Sequence, residues 1–347
     1  MKRLLIILSI ICSTLNGLQA QFIESKANVN DSLLARAAQF KEAIAVSEGY
    51  RSGVYIYDKR TVADYRKNPE ELAARLALFG FTDVYLGVNR LLTSGNSDEI
   101  KWVVTFNTTA HELGMKVHLL SLSSSKLWID NNKIVDDCRQ FVDFNYINKK
   151  AVRFDGISAD LEPHIMKKGH VERPKDLVWE WHGTDNYGIG KDNDLLCKRM
   201  VEVMQKARKE LGKNFELSQA QGFFLQRRFD AGELSAGSAH QLLQSCSHLV
   251  VMAYNYQPQR VFEMAQPSLE NADAHNFTKS VSIAIKTSLD TYGSEGPVTS
   301  FQPQAWEYLI DAIRFLIKRG KEYSSFRGID IFEFQGLELM FNKQQED

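Results

Sequence analysis

Between Phe154 and His164 the chain reads FDGISADLEPH, a short apolar run that carries Asp160 and Glu162 two residues apart. Side chains alternate faces along a strand, so Ile157, Ala159 and Leu161 form one apolar side while Ser158, Asp160 and Glu162 share the other. Desolvating a carboxylate costs several kcal/mol, and a buried strand seldom holds two acids on one face unless they are paired or do chemistry. Pro163 ends the strand, which puts Glu162 at its C-terminal rim. Two carboxylates so placed suit proton transfer to and from a bound ligand.

The elements that must position them repeat along the chain. β-branched and aromatic runs predict strands at 52–58, 82–88, 116–121, 154–162, 215–220, 248–254, 280–286 and 328–334. Helical periodicity falls between most of them, at 68–79, 97–113, 136–149, 191–211 and 306–320, with Gly80, Gly114, Gly212 and Gly320 as stops. Eight strands alternating with helices predict parallel pairing through right-handed crossovers. The fold expected is α/β, a closed (β/α)8 TIM barrel, with an extra N-terminal helix from Asp31 to Val46 that covers one end. An open doubly wound sheet is the alternative, but no glycine-rich phosphate turn follows the first strand.

Reactive groups of such barrels lie at the C-terminal strand ends. Those ends supply Tyr57, Asn89, Asp160, Glu162, Gln219, Gln221, Tyr254, Asn255, Lys286 and Glu333. Amides, carboxylates and aromatic faces together suit hydroxyl-rich ligands such as sugars. Asp155-Gly-Ile-Ser-Ala-Asp160-Leu-Glu162 resembles the strand-four signature of family 18 glycoside hydrolases, the chitinases and endo-β-N-acetylglucosaminidases, written D-G-x-D-x-D-x-E. Met252-Ala-Tyr254-Asn255 is similar to that family's strand-six Met-x-Tyr-Asp. The resemblance implies Glu162 as general acid, with the substrate's own acetamido group as nucleophile, Asp160 bonded to its nitrogen and Tyr254 to its oxygen. Ser158 stands where the family has its middle Asp, Asn255 where it has the strand-six Asp, and Phe332-Glu333-Phe334 where it has a Trp. Neither Ser158 nor Asn255 can hold or release a proton, which keeps a second reading open: a catalytically inactive carbohydrate-binding barrel. A third is a two-carboxylate retaining glycosidase using Glu162 and Glu333.

The connection from Pro163 to Gly190 is long and aromatic, and Trp179 and Trp181 are expected there as a sugar-stacking wall. His164 and His170 match no zinc spacing and read as solvated loop residues, so neither metal nor cofactor is expected. Trp102 and Trp306 fall on helices and read as core.

The net charge of −1 argues against a nucleic-acid footprint and leaves a glycan as the expected partner. Lys2 and Arg3, the apolar run Leu4–Cys12 and the small residue Ala20 follow signal-peptide order, so the division expected is a signal peptide at 1–20, a helical extension at 21–50 and the barrel at 51–347. That predicts a secreted or periplasmic protein with no membrane segment after signal removal. Ile11 is bulky for a lipidation site at Cys12. Cys138, Cys197 and Cys246 form an odd, scattered set and read as buried free thiols.

Overall fold

The computed structural model describes residues 21–44, 49–123, 133–166, 181, 193–289 and 296–343. Eight parallel strands close in sequence order. They are β1 (Gly53–Tyr57), β2 (Asp83–Gly87), β3 (Lys116–Ser121), β4 (Gly156–Ala159), β5 (Glu216–Gly222), β6 (His248–Met252), β7 (Val281–Lys286) and β8 (Phe326–Phe332). Closure comes from Val54 of β1 beside Ile331 of β8. The chain is a (β/α)8 barrel, as the alternation of strands and helices predicts.

Register sorts every strand residue to one of two faces. Ile157, Ala159 and Leu161 join the large apolar layer between strands and helices. A smaller cluster of Tyr55, Tyr85, Leu120, Val250 and Ala284, with Tyr57, Tyr254 and Phe332 packed on it, fills the lumen. Ser158 pairs with Leu120 of β3 and Ser218 of β5, which puts it on the lumen side.

Local chemistry sets the helix limits. Pro69 occupies the first turn of Pro69–Phe79, and Gly80 ends that helix at φ 83°, where a side chain is strained. The Ser238 hydroxyl and the Gln241 side chain form a reciprocal capping box on Ala239–Leu243. Among the described helices of nine residues or more, two escape the periodicity argument: Pro258–Ala274, which carries Pro267 in its interior, and Phe334–Asn342, which begins where the sequence pattern extends β8.

The helix Asp31–Ala43 does not cap a barrel end. It packs side-on against Pro69–Phe79 and Trp306–Gly320, with the Phe40 ring 5.3 Å from Phe79 and 6.1 Å from Trp306. Trp102 and Trp306 are buried, as expected of core. Cys138, Cys197 and Cys246 are buried free thiols, and burial pushes each up to about 12. No helix among the described residues is long and apolar enough to cross a membrane. The signal-peptide residues and Trp179 lie outside the described residues.

Candidate active site

β4 is short. Its ladder ends at Ala159, and Asp160, Leu161 and Glu162 continue beyond it, Glu162 in an extended conformation before the turn at Pro163–Ile165. Gly156 is what lets β4 approach β5 closely, for a Cβ there would lie 2.2 Å from the Glu216 carbonyl oxygen. The alternation persists past the ladder. Leu161 stays in the outer apolar layer, and its flanking acids act on the tyrosines of the lumen.

Those tyrosines report the site's electrostatics. Burial, then Tyr55, Tyr57, Asp160 and Glu162, hold the Tyr254 hydroxyl well above its ordinary value, so it stays a donor. Tyr57 is raised likewise by burial and by Asp160, Glu333 and Glu162, with Arg60 opposing. Asp160, Glu162, Tyr57 and Tyr254 therefore share one end of the lumen, and Glu333 reaches the same tyrosine from β8. Burial alone moves the Asp160 carboxyl up to about 6. Among the described residues its Oδ1 has no hydrogen-bond partner; the Tyr55 and Ser158 hydroxyls face each other beneath it. Oδ1 is a buried polar atom of the kind a ligand's amide or hydroxyl group satisfies.

Glu333 is held by the Arg60 guanidinium and its peptide oxygen accepts from the Thr287 hydroxyl at 2.8 Å, while Oε2 has no partner. Burial raises its carboxyl, with Arg60 and Lys286 opposing. The Phe332–Glu333 peptide bond is cis. Phe332 lies 5.4 Å from the Tyr254 ring, in the place the resemblance gives to a Trp, and the Lys286 ammonium sits 5.8 Å from the same ring. Tyr55 is a lumen residue that neither the strand ends nor the motifs single out. Parity was its available signal, since Tyr55 precedes Tyr57 by two.

Other expected ligand contacts have different work. Gln219 and Gln221 are fully buried on the helix-facing side, in register with Leu249 and Val251. Gln219 bonds to the Leu161 backbone, and Gln221 bonds to Gly237 O and Ser268. Asn89 donates its Nδ2 to Leu120 O at 2.6 Å, and its buried Oδ1 has no partner among the described residues. Asn255 Oδ1 accepts the Gln257 N–H at 2.8 Å, closing the turn into Pro258–Ala274. Trp181 is no stacking wall: its ring is buried, 6.0 Å from Phe224. His164 is not a solvated loop residue either. It lies edge-on to Phe224, burial lowers it to about 4 so that it is neutral, and its Nε2 is 3.5 Å from Glu162 Oε1.

Asp83, His118 and Glu216 gather at the opposite end of the barrel in a geometry that could hold a metal ion. Their oxygens already meet cations. Arg51 and Arg327 bond Asp83 at 2.7 and 3.1 Å, and Lys116 pairs with Glu216. The Asp83 carboxyl is held well below the usual range by Arg327, His118 and Arg51 against the cost of burial. This is an ion network that plugs the barrel floor.

No protein-family model matches the chain, and no curated protein matches it. Solved structures do. A family 18 chitinase from Pseudoalteromonas aurantia superposes with a TM-score of 0.50 at 13% identity, over 82% of this chain and 94% of that one. A chitinase from Bacteroides thetaiotaomicron gives 0.50 at 12%, over 84% and 94%. At such identities the likeness is one of fold. In barrel architecture and in the order of its elements, the chain resembles the family 18 glycoside hydrolases.

Proposed function

We propose that this protein is a glycoside hydrolase of N-acetylhexosamine-containing glycans, with Glu162 as general acid. The observation that carries the reading is the convergence of Asp160, Glu162 and Tyr254 at the C-terminal end of the lumen, where both acids act on the same phenol. Protonated Glu162 gives its proton to the glycosidic oxygen as the bond to the anomeric carbon breaks. The substrate's acetamido oxygen attacks that carbon to give a cyclic oxazolinium. Asp160 accepts the acetamido N–H and balances the developing positive charge. Tyr254, kept protonated, donates to the acetamido oxygen. Water then opens the ring, with Glu162 now the base that removes its proton. A chain exported by its N-terminal segment would meet such glycans in a cell wall or outside the cell.

A second reading rests on one observation. Asn255 turns its oxygen to the Gln257 N–H, and Ser158 offers only a hydroxyl under Asp160, so the proton-holding neighbours of the related motif are absent. A barrel that binds the glycan without cleaving it is the outcome if their loss is decisive. Purified protein assayed on chitooligosaccharides, N-glycans and peptidoglycan separates the two. Hydrolysis that falls by roughly a hundredfold or more in Glu162→Gln, with sugar affinity kept within a few-fold, is the result expected of the enzyme. Equal binding by both forms with no turnover from either would establish the binding barrel.

A further inference from the structure

The residues that do the chemistry lie outside the strand that delivers them. The β4–β5 ladder stops at the Ala159–Gln219 pair, so no sheet bond fixes the backbone between Asp160 and Glu162. The backbone N–H and C=O of Leu161 are nonetheless both satisfied by one side chain. Gln219 Nε2 donates to Leu161 O at 2.9 Å, and Leu161 N–H donates to Gln219 Oε1 at 3.3 Å. The same Nε2 also donates to Ala220 O. A primary amide that gives and accepts toward one residue reproduces what a neighbouring strand does for a peptide unit. Leu161 is 1% exposed and Gln219 0%, so water does not compete for these bonds and their loss would leave two buried backbone groups bare.

We propose that Gln219 is a positioning residue for the reaction, clamping Leu161 so that Asp160 and Glu162 on either side of it hold their lumen orientation. The proposal rests on the glycosidase reading, but the clamp has a readout of its own. Gln219 touches no reacting atom. Its removal therefore lowers kcat rather than ground-state binding, because a general acid displaced by a fraction of an ångström still leaves the sugar's other contacts in place.

Gln219→Met keeps volume and removes both bonds. The expected result on chitooligosaccharides is kcat down at least tenfold with KM within threefold, together with at least tenfold faster amide hydrogen exchange at Leu161 and unchanged exchange in β1 and β2. Gln219→Glu supplies a rescue: when protonated it can donate to Leu161 O and accept from Leu161 N–H, and when ionised it faces Leu161 O as a like partial charge. Its activity relative to wild type should rise as pH falls, which a space-filling role would not produce. An unchanged Leu161 exchange rate in Gln219→Met overturns the clamp, and faster exchange with unchanged kcat overturns its positioning role. Should wild type hydrolyse nothing, the glycosidase reading falls separately, and Leu161 exchange alone decides whether Gln219 holds this segment.

Discussion

Asp160 carries opposed demands, and pH separates them. Its folded carboxyl titrates at about 6 against an ordinary 3.8, so the native state binds this proton more tightly than the unfolded chain. Stability attributable to it is intact below the unfolded value and is lost as pH rises through the interval up to about 6. Asp160→Asn should therefore stabilise the fold by up to about 3 kcal/mol at pH 7 and by nothing measurable below pH 4, as denaturant melts at the two pH values would show. The same change should cost activity. In the proposed mechanism the ionised carboxylate is the form that accepts the acetamido N–H, so kcat/KM should rise with pH on an acid limb near 6 that Asp160→Asn abolishes. Glu333 is a contrasting acid: tied to Arg60, it has no assigned part in an acetamide mechanism. Glu333→Gln should keep activity within about tenfold, and a fluorosugar trap should not label Glu333 covalently. Strand parity alone was enough to put Asp160 and Glu162 on one face. It was not enough to give His164 its neutral, half-buried state beside Phe224 of a distant helix.

At the scale of elements, the strands announce themselves through β-branched and aromatic runs, and the helices through period and glycine stops. The failures have local causes. Pro267 interrupts the pattern of Pro258–Ala274, although the helix tolerates it. Strand position and residue type suggest Gln219 and Gln221 as ligand contacts, yet Leu217 two residues earlier already marks their face as the helix-facing one. What no local pattern reveals is that a glutamine on that face bonds the backbone just past the end of the preceding strand, where the ladder has stopped. Gly156 belongs to this scale too. The glycine of the Asp-Gly motif is set by the approach of β4 to β5, so Gly156→Ala should force the strands apart and destabilise by about 1–3 kcal/mol, read as a lower denaturation midpoint with an unchanged slope.

Across the whole molecule, the two ends of the barrel divide the work. The floor is locked by Asp83 with Arg51, Arg327 and His118, and by Tyr85, whose hydroxyl donates to Asp330 and lies 3.0 Å from His248. Arg327→Met removes one partner of a buried ion pair and should cost about 3–5 kcal/mol in denaturant unfolding, while substrate KM in the surviving folded fraction stays near wild type. Toward the opposite end, among the described residues, Asp160 Oδ1 and Glu333 Oε2 are buried acceptors without a partner. The architecture was legible from eight alternating units, and the site's location followed from it. The proposed reaction rests on the resemblance of the 155–162 and 252–255 segments to the family 18 motifs, with the acid pair and the phenol that faces it as its residues. Acetamide participation is the central claim, and a matched pair of oligosaccharides tests it most directly: β-1,4-linked chains of equal length, one of N-acetylglucosamine and one of glucose, assayed side by side. The account predicts turnover of the acetylated chain alone, with inhibition by a thiazoline analogue of the cyclised intermediate that Asp160→Asn weakens. Equal hydrolysis of the chain without acetamido groups would contradict it.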